Sequence, residues 1–342
     1  MTEEQEVREL IKARKYDEAL LILKQALMNA ELYVLKGNIY FETDQLKLAV
    51  EMYTNALKLD KDCAKAYNNR GNTKACLEMY DEAIEDYKKA VELKPDYIDA
   101  YFNMGLTYYN NRQYEEAITA YDSAIELMPE NFMAYNNRGN AKNFVEDYAG
   151  AIKDFTKSIE IRPTPNSYFN RGLARENLKN YNDAIKDYTM ALEFRPNDIP
   201  VMLKRGYAEF KNEDFQKAEE DYLRVISLDT VNLEALVSLG MVYYNLERYN
   251  EAIIQYTKAV SIDSEYADAY LNRSIAAAKL HRYTMAENDL IKMFSIDIFR
   301  NDYLSTYNQI RDILEEREDE ASIEFKNTVE KLAEQIKKPR EE

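Results

Sequence analysis

The chain has 342 residues, and its 62 Asp and Glu against 45 Lys and Arg give a formal net charge of −17. A surface this acidic repels phosphate backbones and anionic lipids, and no apolar run approaches the ~18 residues of a membrane span, so we expect no nucleic-acid partner and no membrane insertion. The single histidine, His281, excludes every metal or catalytic motif that requires two, and we expect neither enzymatic activity nor a cofactor or metal ion.

The first 19 residues, MTEEQEVRELIKARKYDEA, form an acidic, amphipathic segment. It lacks the basic start and apolar core of a signal peptide, so we expect a cytoplasmic protein. The tetrapeptide Tyr-Asp-Glu-Ala at residues 16–19 recurs at residues 80–83. This recurrence indicates that residues 1–29 are a degenerate first copy of a hairpin that is repeated along the chain.

Seven of the eight glycines are separated by a nearly constant spacing of 34 residues, with one spacing of 33. They are Gly37, Gly71, Gly105, Gly139, Gly172, Gly206 and Gly240. A fixed period between about 20 and 50 residues is typical of a solenoid or a propeller. If each of these glycines is given position 8, and Ser274 takes that position in the last repeat, eight tandem repeats span residues 30–300. They start at Ala30, Ala64, Ile98, Phe132, Pro165, Ile199, Leu233 and Ala267.

Several positions of the repeat keep the same kind of side chain along the chain. Position 4 is Tyr in six of the eight repeats, position 20 is Ala in all eight, and position 24 is aromatic in seven. Steps of three and four residues separate positions 4, 8 and 11, and again positions 20, 24 and 27, so each set lies on one face of a helix. Position 32 is Pro in four repeats and ends the second helix. Each repeat is therefore predicted to be a pair of antiparallel helices.

This combination of positions resembles the tetratricopeptide repeat (TPR) family over residues 30–300. The resemblance implies an all-α fold, in which antiparallel helix hairpins stack into a right-handed α-α superhelix, the TPR solenoid. The chain departs from the family in the turn inside each repeat. There the usual glycine is replaced by residues such as Asp44, Glu78 and Arg112, and we expect strain in that turn.

Residues 301–342 follow the last repeat and carry two amphipathic stripes at helical spacing. The first consists of Leu304, Tyr307, Ile310 and Leu314, and the second of Phe325, Val329, Leu332 and Ile336. We expect a C-terminal capping helix followed by a charged, solvated tail helix. Homo-oligomerisation through these C-terminal helices stays open.

An arginine at position 7 and an aspartate at position 23 occur together in five repeats, and the other three repeats have neither. The pairs are Arg70 with Asp86, Arg138 with Asp154, Arg171 with Asp187, Arg205 with Asp221, and Arg273 with Asp289. Because the two residues change together, we predict a partly buried, structural ion pair between the two helices of each hairpin.

The resemblance further implies that positions 2, 5, 6, 9, 12 and 13 of each first helix line the concave face. Asparagines recur there: Asn69, Asn103, Asn137, Asn170 and Asn272 at position 6, and Asn68, Asn72, Asn136 and Asn140 at positions 5 and 9. Phe102, Tyr109, Phe169 and Tyr244 stand among them. A row of amides can hold an extended peptide, since each amide both donates and accepts a hydrogen bond. The alternative is that the amides only satisfy local polar groups.

The sequence therefore predicts a protein-protein interaction scaffold or adaptor that binds an extended peptide or partner element in the concave groove. The alternative is a regulatory or substrate-recruiting TPR module for an enzyme on a separate chain. The two differ in stoichiometry, because a module of one enzyme co-purifies with that enzyme, whereas a scaffold co-purifies with several proteins.

Overall fold

The structure is a computed structural model that describes residues 2–296, residue 313 and residues 320–337. Within these residues all regular secondary structure is α-helical, which confirms the fold class predicted from the repeats. The helices group into two compact units, Met1–Leu178 and Lys179–Glu342. The first C-terminal stripe, Leu304, Tyr307, Ile310 and Leu314, lies outside the described residues.

The first unit consists of consecutive helices, and from α3 onward each odd-numbered helix begins at the first residue of a repeat. The helices are α1 (Glu3–Lys12), α2 (Tyr16–Gln25), α3 (Ala30–Glu42), α4 (Leu46–Leu59), α5 (Ala64–Cys76), α6 (Tyr80–Leu93), α7 (Ile98–Asn110), α8 (Tyr114–Leu127), α9 (Phe132–Phe144), α10 (Tyr148–Ile161) and α11 (Pro165–Asn177). Each first helix from α3 to α9 packs antiparallel on the second helix of its hairpin.

The second unit continues the same pattern and adds a C-terminal helix. Its described helices are α12 (Tyr181–Phe194), α13 (Ile199–Lys211), α14 (Phe215–Leu228), α15 (Leu233–Asn245), α16 (Tyr249–Ile262), α17 (Ala267–Lys279), α18 (Tyr283–Ile296) and α19 (Glu320–Lys337). The hairpins α13/α14, α15/α16 and α17/α18 pack as in the first unit.

The glycine at position 8 makes room for the aromatic ring at position 24 of the same hairpin. A Cβ atom built on Gly105 would lie 2.8 Å from the Tyr121 ring, and one on Gly240 would lie 2.4 Å from the Tyr256 ring. Atoms cannot approach this closely, so a side chain at position 8 would push the two helices apart. The alanine at position 20 is fully buried in every repeat. A larger side chain at this position would also push the two helices apart.

The turn inside each hairpin contains a non-glycine residue in the left-handed region, with φ between 56° and 62°. At the end of α3, the N–H of Gln45 donates to the Tyr40 carbonyl at 2.7 Å, and the N–H of Asp44 donates to the Phe41 carbonyl at 3.1 Å. This pair of backbone hydrogen bonds requires Asp44 to adopt the left-handed conformation. Without glycine, each such residue costs about 1 kcal/mol, which the packing of the hairpin offsets.

The first helices of neighbouring repeats contact one another directly inside each unit: α3 with α5, α5 with α7, α7 with α9 and α9 with α11 in the first, and α13 with α15 and α15 with α17 in the second. Packing between repeats is therefore close on this side of the stack. We call the surface formed by positions 2, 5, 6, 9, 12 and 13 of the first helices the inner face.

The C-terminal helix α19 packs on α18. Phe325 and Val329 are buried, and the Phe325 ring stacks on Tyr283 with centroids 5.6 Å apart. Thr328 Oγ1 donates to Glu287 Oε1 at 2.8 Å. This helix therefore covers apolar surface of the last hairpin with Phe325 and Val329, while Ile323 on the same helix is exposed to solvent.

Candidate functional site

The predicted asparagine row lies half-buried on the inner face. In the first unit, α5, α7, α9 and α11 each carry one member, Asn69, Asn103, Asn137 and Asn170. The fifth member, Asn272, is on α17 in the second unit, where its Nδ2 donates to the Asp268 carbonyl of its own helix at 2.9 Å. The row as a set of neighbours is thus a feature of the first unit.

Several amides of the row bond to asparagines of the preceding repeat. Asn69 Nδ2 donates to Asn38 Oδ1 at 2.9 Å, and Asn170 Nδ2 donates to Asn140 Oδ1 at 2.9 Å. These bonds tie neighbouring first helices together. Asn69 Oδ1 also accepts from Asn68 Nδ2 at 3.1 Å, so both ends of that amide are used within the protein. Asn170 Oδ1 accepts no hydrogen bond from another described residue, so a structural role and a binding role are compatible at Asn170.

The asparagine at position 9 also accepts a bond from the buried tyrosine at position 24. Tyr53 Oη donates to Asn38 Oδ1 at 2.9 Å, and Tyr87 Oη donates to Asn72 Oδ1 at 2.7 Å. In the repeat that starts at Ile98, position 9 is Leu106, and among the described residues the buried Tyr121 Oη finds no partner with the geometry of a hydrogen bond, only the nearby side chain of Asn137. A buried hydroxyl without a partner lowers stability, since it has given up its bonds to water.

Removing the hydroxyl at these two tyrosines is expected to have opposite consequences. Tyr87→Phe leaves Asn72 without its donor and should lower the free energy of unfolding by about 1 kcal/mol. Tyr121→Phe removes an unpaired hydroxyl from an identical repeat position and should be neutral or stabilising. Urea unfolding of both variants, followed by far-UV circular dichroism, measures the difference. Equal losses for the two variants would contradict this assignment.

An aromatic cluster lies beside the Asn140–Asn170 pair. The rings of Tyr114 and Phe144 stack at 4.6 Å with an interplanar angle of 10°, and Tyr109 meets both rings edge-on at 5.5 Å. A cavity of about 350 Å³ opens between this cluster and the amides. Its lining residues are Tyr109, Asn140, Asn143, Phe144, Asn170, Leu173 and Asn177. Sequence reasoning included Tyr109 but missed Tyr114 and Phe144.

The remaining predicted binding residues lie apart from this cluster. Asn103 Nδ2 lies 3.4 Å from Asn68 Oδ1, and Asn136 Oδ1 accepts from Ser167 Oγ at 3.2 Å. Phe102 meets the Tyr121 ring edge-on, and Phe169 is half-buried on α11. In the second unit, Tyr244 lines a separate cavity of about 240 Å³ together with Asn272.

The position 7 arginines reach the position 23 aspartates with both ends of the guanidinium fork. Nε and Nη2 donate to the two carboxylate oxygens at 2.5 to 2.8 Å in the pairs Arg70–Asp86, Arg138–Asp154, Arg205–Asp221 and Arg273–Asp289. The aspartates are buried, and the geometry is bidentate. The fifth pair, Arg171 with Asp187, is divided between the two units and stays a prediction.

The third nitrogen of each guanidinium, Nη1, donates to position 25 of the preceding hairpin. The acceptors are Thr54 for Arg70, Asp122 for Arg138, Thr156 for Arg171, Thr189 for Arg205 and Thr257 for Arg273. Sequence reasoning missed this contact, although the signal was present. A Thr or Asp at position 25 precedes each arginine repeat, whereas Lys88 and Leu223 precede the repeats that have Met104 and Leu239 at position 7.

Position 11 modifies this ion pair differently from one repeat to the next. Lys74 and Lys142 stand there and bond to Asp86 and Asp154 at 2.7 and 2.8 Å. The repeat that starts at Ile199 has Glu209 instead, which is only 4% exposed and whose Oε2 has no hydrogen-bond partner in the described part of the chain. Burial, and then repulsion by Asp221, raise the pKa of Glu209 to about 7.

Among the described residues, no group of three or more His, Cys, Asp or Glu side chains is arranged to hold a metal ion. In the same residues no helix is both long and apolar enough to cross a membrane. The candidate site is the uncharged part of the inner face, with its amides and aromatic rings.

Family models match most of the repeats. A model described as TPR repeat matches residues 37–75, 77–111 and 240–280. Two models described as Tetratricopeptide repeat match residues 98–131, 134–165, 165–198 and 199–232. No curated protein matches the chain in sequence.

Solved structures with the same fold include the C-terminal part of a TPR repeat-containing protein from Cytophaga hutchinsonii, with 20% identity, a TM-score of 0.60, and coverage of 68% of this chain and 96% of that one. PilF from Pseudomonas aeruginosa is 21% identical, with a TM-score of 0.51 and coverage of 60% and 94%. YrrB, a TPR protein with an unusual peptide-binding site, is 22% identical, with a TM-score of 0.50 and coverage of 54% and 96%. At these identities the similarity concerns the fold alone.

Proposed function

The chain belongs to the tetratricopeptide repeat family, a family of protein-interaction scaffolds, and on that premise we propose that it binds an extended stretch of a partner protein along the inner face of its first unit. The chain acts as a cytoplasmic scaffold or adaptor and contributes no catalytic group of its own. Specificity comes from the side chains of the inner face, since the fold itself is shared by proteins of many functions.

The observation that carries this proposal is the Asn140–Asn170 pair beside its cavity. The bond between the two amides uses Asn170 Nδ2 and Asn140 Oδ1 and fixes both side chains. No other described residue bonds to Asn140 Nδ2 or to Asn170 Oδ1, so the two amides, which line the cavity, offer one donor and one acceptor. An extended peptide presents the complementary carbonyl and N–H groups along its backbone, so it can bond to both.

The proposal is tested with a library of random dodecapeptides, from which binders are selected on the intact protein. The affinities of the selected peptides are then measured by fluorescence anisotropy for the intact protein and for a variant in which Asn103, Asn137 and Asn170 are all Ala. We expect the variant to bind on the order of tenfold more weakly, a loss of about 1.4 kcal/mol, because it lacks the amide row.

The matched control replaces three asparagines of second helices, Asn55, Asn182 and Asn250, by Ala, and should bind as the intact protein does. Far-UV circular dichroism verifies that both variants keep their helicity. The proposal is wrong if no peptide is enriched on the intact protein, or if the selected peptides bind the inner-face variant and the control equally well.

A further inference from the structure

The cluster of Tyr109, Tyr114 and Phe144 offers an exposed, rigid aromatic surface on the inner face. Phe144 is 57% exposed, yet one face of its ring is held by stacking on Tyr114 and its edge region by Tyr109. Single exposed apolar residues are common on protein surfaces and carry no message by themselves. Here the ring is already fixed by two aromatic neighbours, so a ligand that packs on it loses little side-chain entropy. We call this cluster the aromatic platform.

No residue that lines the neighbouring cavity carries a formal charge. The lining consists of two aromatic residues, one leucine and four asparagines, in a chain with a net charge of −17. Burial raises the pKa of Tyr109, so its hydroxyl stays neutral at physiological pH. A charged side chain in this cavity would lose hydration and find no opposite charge. The complementary ligand surface is therefore uncharged.

The amides beside the platform fit a backbone whose polar groups are free. Asn140 Nδ2 can donate to a carbonyl and Asn170 Oδ1 can accept from an N–H. In the same wall, Asn143 Oδ1 is buried and accepts no hydrogen bond from another described residue. A polyproline II segment has no internal hydrogen bonds, so all its carbonyls are available to amide donors, and proline rings pack on flat aromatic surfaces.

Resting on the function proposed above, we propose that the aromatic platform and the Asn140–Asn170 pair together bind an uncharged, proline-containing segment of the partner in the polyproline II conformation. A proline ring packs on Phe144, and an adjacent backbone carbonyl accepts from Asn140 Nδ2. The shallow shape of the site, with Phe144 open to solvent, suits a compact ring better than a long aliphatic side chain, which needs a deeper pocket.

The probe is a fluorescein-labelled decaproline, titrated with the intact protein and followed by anisotropy. Its rings and carbonyls test the contacts to Phe144 and to Asn140 Nδ2, whereas the N–H for Asn170 Oδ1 would come from a residue of the partner other than proline. A peptide of the same length with alternating Ala and Gln is the comparison, and it should bind on the order of tenfold more weakly, since it has no ring for the platform. Phe144→Ala should weaken binding of decaproline by a similar factor. Phe194→Ala, which removes a ring with 49% exposure outside the inner face, should leave it unchanged.

Phe144→Leu keeps apolar bulk but removes the flat ring, and it should also weaken binding of decaproline. If Phe144→Leu binds as the intact protein does, or if decaproline binds no better than the Ala-Gln peptide, the inference is overturned. In that case the selected dodecapeptides still report on the proposed function. If they depend on the asparagine row while decaproline does not bind, the groove binds peptides of another composition.

Discussion

Asp154→Ala is expected to lower the free energy of unfolding by about 3–5 kcal/mol, the range for breaking a buried ion pair by removing one partner. Asp154 is buried and neutralises Arg138 and Lys142 at 2.5 and 2.8 Å. Its removal leaves Lys142 beside Arg138 with little solvent between the two cations, and the more exposed Asp122 remains as the only acidic partner that the described residues give Arg138. Urea unfolding followed by far-UV circular dichroism gives the loss.

Removing both charges of this pair should be milder than removing one. Arg138→Met combined with Asp154→Ala reproduces the residues that the repeat at Ile98 has at these positions, Met104 and Ala120. Glu92→Ala breaks an exposed pair with Lys89 and should leave the stability almost unchanged, since solvent screens that pair. If the double variant loses as much stability as the sum of its two single changes, Arg138 and Asp154 are not coupled.

Glu209→Gln is expected to stabilise the protein by about 3 kcal/mol at pH 8 and to have little effect near pH 4.5. The pKa of Glu209 is about 7 in the folded protein, above its ordinary value of 4.5. Between pH 4.5 and about pH 7, the folded state therefore holds a proton on Glu209 that the unfolded state has released. Stability falls as pH rises from about 4.5 to about 7 and stays lower above it.

Urea midpoints of the intact protein and of Glu209→Gln, measured between pH 4.5 and 8, separate this carboxylate from all others. Glu209→Lys should stabilise further at pH 8, since Lys74 and Lys142 bond to the aspartate at the same position of their repeats. Glu193→Gln changes an exposed glutamate on α12 and is the control. A difference between intact protein and Glu209→Gln that does not vary with pH would contradict the burial of a charged Glu209.

The helices and their pairing could be predicted from the sequence because steric requirements recur in every repeat. The glycine at the position of Gly105 is kept in seven of the eight repeats and the alanine at the position of Ala117 in all eight, since a larger side chain at either position would separate the two helices. The Arg138–Asp154 pair could be predicted because both residues change together. The hydrogen bond from Arg138 to Asp122 was not predicted, because it joins two consecutive repeats and the pairing rule considered residues of one repeat only.

The binding surface was less predictable, because its features depend on distances between helices. The asparagines could be placed on one face from their spacing, but not the bond of Asn170 to Asn140. Phe144 occupies position 13, which the family resemblance places on the concave face, but that position is aromatic in no other repeat, so its role became visible only with its stacking on Tyr114. The raised pKa of Glu209 likewise depends on burial and on Asp221, which is twelve residues away in sequence.

Each position 7 arginine donates a hydrogen bond to position 25 of the preceding hairpin, so the order of the hairpins affects the stability of the array. Excision of residues 98–131 would join the hairpin that carries Lys88 to the one that carries Arg138, and two cations would meet at the new junction. Excision of residues 64–131 would instead bring Arg138 to Thr54, which is now the partner of Arg70. Segments of this array are therefore not interchangeable modules. Position 25 of one hairpin must match position 7 of the next, so gain or loss of hairpins keeps these contacts only in certain combinations.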